Sequence, residues 1–196
     1  MEILLNKISK KFGSNKVIEN FSYTFKKKSY AIVGKNGAGK STLLKIIGNL
    51  MSPSYGSIKY ILDNKSDDIP KNIFFVAPYQ ELISELSVKD FLKFNKSFRK
   101  LNVNYTDILN SFNLENYEDT KIGNLSSGSL QKLKLLIAFS IDSEFILLDE
   151  PTTNLDFDGK KIYRNLFRKN HEKKGIIIAS NDNEDIINEI TEIIKI

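Results

Sequence analysis

Cysteine is absent from the 196 residues, and histidine occurs once, as His171. Together these absences exclude disulfide scaffolds, Cys-ligated zinc, iron–sulfur clusters, thiol nucleophiles and His-cluster metal sites, and they suit a reducing compartment. Long apolar runs are also missing. The longest, such as 135–139 and 176–179, fall far short of a membrane span, and the opening MEILLNKISKKF lacks the basic-then-apolar order of a signal peptide. A cytosolic chain is therefore expected. Arginine is scarce: of 29 basic residues only Arg99, Arg164 and Arg168 carry the guanidinium that reads phosphates and guanines bidentately. The formal charge of +5 thus argues weakly for nucleic acid, and the lysine runs at 26–28 and 173–174 are expected to be solvated turns.

What remains is an ordinary globular composition, 41% hydrophobic and 27% charged, at about one domain's length. Folding a chain of this size buries about 70% of the unfolded surface, so no staple is needed to hold a core. The opening third reads as strands at 3–8, 17–25, 30–33 and 57–61, split by Gly13, Gly34 and Gly56. A helix over 40–50 follows the third strand directly, with Leu43, Leu44, Ile46, Ile47 and Leu50 at helical spacing. Helical periods return over 88–111 and 129–141. The all-apolar runs 145–148 and 176–179 read as strands buried on both faces, the habit of parallel central strands. The pattern predicts one compact α/β domain with a helical insertion, without repeats or linkers.

Between the third strand and the first helix lies Gly34-Lys35-Asn36-Gly37-Ala38-Gly39-Lys40-Ser41-Thr42, which fits G-x-x-x-x-G-K-[ST] in the strand–loop–helix setting that mechanism requires. The glycines let backbone N–H groups curl around phosphate oxygens, and the helix N-terminus adds positive dipole. Lys40 brings a full charge for the β- and γ-phosphates, and the Ser41 hydroxyl can ligate Mg²⁺.

A second constellation, Phe145-Ile146-Leu147-Leu148-Asp149-Glu150-Pro151, is an apolar strand ending in two carboxylates. Neighbours on a strand point opposite ways, so the two acids cannot share one role. If this strand lies beside the one feeding the phosphate loop, Asp149 reaches the metal and Glu150 is placed to polarise the attacking water. Together with the loop, the pair reads as a nucleotide hydrolase.

The third element, Leu125-Ser126-Ser127-Gly128-Ser129-Leu130-Gln131-Lys132, opens a helix ahead of the carboxylate strand. A serine there is commonly a helix cap. In order, however, the phosphate loop, Pro78-Tyr79-Gln80, LSSGS, LLDEP and Thr153-Asn154-Leu155-Asp156 resemble the motif series of ABC-type ATPases, covering nearly the whole chain.

The resemblance implies a P-loop NTPase (RecA-like) core with a mainly parallel central sheet, an N-terminal antiparallel β subdomain and an inserted α-helical subdomain. It implies a single ATPase domain over 1–196, with a catalytic core of about 1–80 and 142–196 and a helical subdomain of about 81–141. Phe12 matches the aromatic that stacks on adenine, Gln80 the glutamine that reaches Mg²⁺ and the attacking water, and Asp156 an aspartate at the dimer interface. Ser126 and the N–H of Gly128 match groups that close on the γ-phosphate held by a second copy, so two chains sandwich two ATP molecules.

The sequence departs from the family pattern at several points. Ser127 and Ser129 replace a glycine and a glutamine, Lys132 stands where arginine is common, and Asn181 replaces the switch histidine after the last apolar strand. An amide can donate to a γ-phosphate but cannot take up a proton as imidazole does, so slow hydrolysis is expected.

The function implied is that of the ATP-hydrolysing subunit of an ABC transporter at the cytoplasmic face of the cell membrane. Its partners would be separate integral membrane subunits and a second cassette, identical or related. Tyr79, Leu82 and Ile83 are candidates to seat a helix of the membrane subunit. Two alternatives stand beside it: a soluble ATPase of this type acting on nucleic acid or the ribosome, and a nucleotide-gated module that hardly hydrolyses. The first is weakened because such relatives usually carry two cassettes or a long coiled-coil insertion.

Overall fold

The structure, a computed structural model, describes residues 1–62, 72–100, 109–110, 114–182 and 185–196. These form two compact units: Met1–Phe75 with Ser143–Glu150 and His171–Ile196, and Val76–Asp142 with Pro151–Asn170.

The first unit carries two sheets. Strands β1 (Glu2–Phe12), β2 (Asn15–Phe25) and β4 (Tyr55–Ile61) make an antiparallel sheet of order β2-β1-β4. Both long strands outrun their predicted apolar stretches. Lys7 and Asn20 have positive φ and the β1–β2 register shifts between Leu5 and Ile8, so alternation breaks without ending the strands. The second sheet has the order β5-β6-β7-β3-β8, built from β3 (Ser29–Val33), β5 (Ile73–Val76), β6 (Phe145–Asp149), β7 (Gly175–Ser180) and β8 (Glu192–Lys195). β3 pairs in parallel with both β7 and β8, and β6 with β7. Every residue of β6 and β7 is buried, as their unbroken apolar runs require.

Helix α1 (Lys40–Ile47) leaves the end of β3 and buries Leu43, Leu44, Ile46 and Ile47 in one cluster with Ile3, Leu5 and Ile8 of β1, Leu147 of β6 and Ile177 of β7. Each fully buried aliphatic side chain contributes about 1.5–3 kcal/mol, so the helix that carries the phosphate loop is firmly seated. It stops at Ile47 rather than Leu50, because Gly48 caps it and Asn49 turns left-handed at φ 57°.

The second unit is helical. Its elements described in full are α2 (Val88–Phe98), α3 (Ser127–Ser140), α4 (Phe157–Asn170) and two short 3₁₀ turns at Glu115–Tyr117 and Ile122–Asn124. Ser87 caps α2 by accepting from the Asp90 N–H, and Val88, Phe91 and Leu92 are buried. The predicted apolar face of that helix is only partly used, since Phe94 and Phe98 are exposed and pack on each other at 4.9 Å between ring centres. Of the rest of the predicted 88–111 helix, 101–108 and 111 lie outside the described residues. α3 is buried over most of its circumference, and its Phe139 meets Tyr163 of α4.

The two lysine runs differ in burial. Lys26, Lys27 and Lys28 are exposed and take part in ion pairs with Glu2, Glu144 and Glu192. Lys174, by contrast, is buried, because it directly precedes the buried strand β7 and is drawn into the interior with it.

Candidate nucleotide site

The loop 34–39 joins the central strand β3 to α1, and Gly39 shows why glycine is needed. Its φ is 97°, and a Cβ there would lie 2.9 Å from the Val17 carbonyl oxygen and 2.8 Å from Val17 Cγ1. Ala38 N–H donates to the Lys35 carbonyl at 3.1 Å, tightening the curl. Lys40 is only 6% exposed and folds back across the loop, its Nζ donating to the carbonyls of Gly34 at 3.0 Å and Lys35 at 3.1 Å. The Lys40 side chain thus lies against two peptide carbonyls of the loop at a helix N-terminus, a setting that attracts anions.

Asp149 ends β6, and its Oδ1 accepts from the Ser41 hydroxyl at 2.9 Å. Contrary to the adjacency expected from sequence, β6 does not lie beside β3, because β7 lies between them. The meeting occurs because α1 crosses over β6 and β7, bringing Ser41 to the carboxylate. Burial pushes the Asp149 carboxyl up from its ordinary value, and the Ser41 hydrogen bond partly opposes that shift. A buried carboxylate and a hydroxyl 2.9 Å apart are hard oxygen donors of the kind Mg²⁺ takes. The residues fit that ion.

Glu150 follows a different rule from the one predicted. It lies beyond the strand, at φ 43°, so a left-handed turn and not strand alternation sets its backbone, and its charge adds to the upward push on the Asp149 carboxyl. Its N–H still donates to the Ala179 carbonyl at 2.8 Å, extending the β6–β7 ladder, before the chain turns into Pro151. A proline disfavours the right-handed helical region for the residue before it. Strained backbone of this sort recurs at functional positions.

Asn181 follows β7. Because Val33 and Ser180 pair across β3 and β7, Asn181 is brought to the phosphate loop, where its Nδ2 donates to Asn36 Oδ1. Sequence reasoning placed both residues in the site without linking them. Thr42 continues α1 behind Ser41. Phe12 is 48% exposed at the β1–β2 turn, with Lys10 Nζ 5.2 Å from its ring centre, so it is not a core side chain.

The remaining predicted residues belong to the helical unit. Gln80 is exposed in the turn after β5, its N–H donating to the Ala77 carbonyl at 3.2 Å. Tyr79 beside it is 91% exposed, Ile83 is exposed and Leu82 half-buried. Ser126 caps α3, accepting from the Ser129 N–H at 3.1 Å, while remaining exposed. Gly128 approaches the segment after Pro151 closely, since a Cβ would stand 2.9 Å from the Asn154 carbonyl oxygen. Asp156 accepts from the Gly159 N–H at 2.8 Å at the start of α4 and pairs with Lys132 at 3.1 Å. The Gly159 N–H, then Lys132, hold its carboxyl below the ordinary value. Sequence reasoning missed Lys134, a charged residue within the apolar stretch of α3 and only 3% exposed.

Residues 18–153, running from β2 past Glu150, match the family described as ABC transporter. The chain belongs to that family. This cassette is 32% identical over 188 residues to the ABC transporter ATP-binding protein YybJ of Bacillus subtilis, covering 92% of this chain and 85% of the relative. It is 33% identical over 186 residues to the zinc import ATP-binding protein ZnuC of Wigglesworthia glossinidia brevipalpis, covering 93% and 77%. Among solved structures it resembles the dimeric post-hydrolysis state of the ATP-binding cassette MJ0796 bound to ADP and Pi. The TM-score is 0.77 at 26% identity, covering 92% of this chain and 88% of that one. The fold is that of an ABC ATPase cassette, and ATP binding and hydrolysis are the chemistry of its family. No helix among the described residues is long and apolar enough to cross a membrane.

Proposed function

We propose that this cassette is the ATP-hydrolysing subunit of a membrane transporter. Two copies, or one copy and a related cassette, close around two ATP molecules at the cytoplasmic membrane face, and separate membrane subunits respond. The observation that carries the catalytic reading is the Ser41–Asp149 hydrogen bond, which joins the phosphate-loop helix to the carboxylate strand.

In this reading Lys40 exchanges its carbonyl partners for β- and γ-phosphate oxygens, and the backbone of Gly34, Asn36, Gly37, Ala38 and Gly39, with Thr42, holds the rest of the chain of phosphates. Ser41 and Asp149 would hold Mg²⁺, to which the resemblance also assigns Gln80. When bound, that ion neutralises charge on the phosphate oxygens. Glu150 orients a water and accepts its proton as the water oxygen bonds to the γ-phosphorus and the bond to the ADP oxygen breaks. Asn181 donates to the γ-phosphate once released from Asn36. Phe12 offers a π-face to the adenine. Ser126 and Gly128 cap the γ-phosphate of the opposite copy, and Asp156 lies at that interface. The whole chain then works as one ATPase domain.

Asn181 favours a second reading, a nucleotide-gated module with little turnover, because an amide cannot cycle a proton. Phosphate release by the purified chain, with ATP and with or without Mg²⁺, separates the two. Slow, Mg²⁺-dependent turnover is expected, and no turnover beyond background would leave the gated module. Isolation from native membranes should bring down a polytopic membrane protein; ribosomes or nucleic acid in its place would overturn the transporter assignment.

A further inference from the structure

Lys134 lies in the middle of α3 and is 3% exposed, yet no acidic side chain pairs with it among the described residues. Burying an ammonium without a counter-ion is costly unless its N–H groups are satisfied. Here they reach two successive peptide carbonyls, Ala77 at 3.1 Å and Pro78 at 2.7 Å. Those carbonyls immediately precede Tyr79 and Gln80, and the Ala77 oxygen is also the acceptor for the Gln80 N–H at 3.2 Å. The turn that presents Gln80 is thus held at its root by one buried cation, while Tyr79 and Gln80 themselves are exposed. Burial drives the Lys134 ammonium below its ordinary value, as expected of a charge balanced by dipoles alone.

The same helix makes a comparable contact one turn earlier. Gln131, three residues before Lys134 and 2% exposed, donates Nε2 to the Pro151 carbonyl at 2.9 Å. Residues three apart share a helix face, so one face of α3 grips both the Gln80 turn and the segment that follows Glu150 in sequence. Ser126, which caps this helix, is the residue assigned to the second copy's nucleotide.

We infer that Lys134 is a positioning residue for hydrolysis, fixing the Gln80 turn to the helix that begins at the Ser126–Gly128 edge. The inference rests on the reading that Gln80 serves the hydrolytic step. Its weight comes from geometry: a displacement of about 1 Å in a group that orients a reactant can cost about 10²-fold in rate.

A double-mutant cycle on the full-length chain tests it, with kcat and KM for ATP measured for Gln80→Ala, Lys134→Met and the pair. Lys134→Met keeps the length of the side chain and removes its donors. The expected result is a fall in kcat of about 10-fold or more with KM changed less than about twofold, because the phosphate loop is untouched. The double variant should be no slower than Gln80→Ala alone, and amide exchange at Gln80 should quicken while that of α1 stays unchanged. A Lys134→Met enzyme with normal kcat would overturn the inference while Gln80→Ala is slow; so would two losses that multiply. Normal turnover in Gln80→Ala would instead sink the role of Gln80. If Lys134→Met does not fold, Lys134→Gln, uncharged but with a donor amide, takes its place in the same cycle and is read by the same criteria.

Discussion

At the scale of single residues, the phosphate loop is defined by space and charge. Gly39 cannot accept a Cβ: its φ of 97° and the 2.9 Å approach to the Val17 carbonyl mean that Gly39→Ala must displace either the loop or β2. Left-handed backbone alone costs a non-glycine residue about 1–2 kcal/mol, and the close approach adds to it. Gly39→Ala should therefore lower thermal stability as well as ATP affinity, measured by melting and by nucleotide titration. Lys40→Ala should abolish nucleotide binding with less change in fold, since it removes a side chain whose hydrogen bonds go to the Gly34 and Lys35 carbonyls of the loop itself. Tight binding by Lys40→Ala would contradict the phosphate assignment. Asn181 gives a prediction in the other direction. Asn181→His restores a group that can share a proton, so turnover should rise; removing one well-aimed contact to a transition state typically costs about 10²-fold, which bounds the gain. A rate equal to or below that of the unaltered chain would place this work on another residue.

At the scale of elements, Ser126 serves two masters that one substitution can separate. As the cap of α3 it accepts from the Ser129 N–H, worth about 1 kcal/mol, while as an exposed edge residue it is assigned to a neighbour's γ-phosphate. Ser126→Ala should lose both contributions. Ser126→Asp keeps a good cap but sets a negative charge against the phosphate, so the melting temperature should hold while ATP-driven pairing disappears. Retained pairing in Ser126→Asp would reduce Ser126 to a cap. The elements also show what the chain made legible. β6 and β7 were readable because they are buried on both faces, and the phosphate loop because its chemistry demands fixed residue types. β8 was not, since a four-residue edge strand with Ile193 exposed leaves too short a period to recognise. α4 hid because its buried stripe is only Gly159, Tyr163 and Phe167 in an otherwise polar stretch. Glu150 was named as a candidate on strand alternation, and no alternation rule could foresee that the strand ends at Asp149 and the backbone turns left-handed before Pro151. Lys134 escaped because its partners are backbone carbonyls 56 and 57 residues away, which leave no trace in residue type.

At the scale of the whole molecule, the proposed assembly has each cassette supply a grip and an edge, the grip of one copy meeting the edge of the other. ATP then acts as a ligand of the closed pair. A ligand that binds only one state stabilises it by about 2.7 kcal/mol at a hundred times its dissociation constant, enough to shift a weak dimer decisively. Glu150→Gln separates that binding from the chemistry. The amide keeps the size of the side chain and can still hydrogen-bond, but it cannot take the water's proton, so the triphosphate should persist. Light scattering of Glu150→Gln should therefore show a dimer with ATP, a monomer with ADP and no phosphate release, whereas the unaltered chain should dimerise only until its ATP is consumed. Adding Ser126→Asp to Glu150→Gln should return the protein to monomer at saturating ATP, because the edge is then repelled while the grip remains intact. A dimer that forms equally with ADP, or a Glu150→Gln chain that still releases phosphate at the original rate, would break the link between the γ-phosphate and closure on which the transporter reading depends.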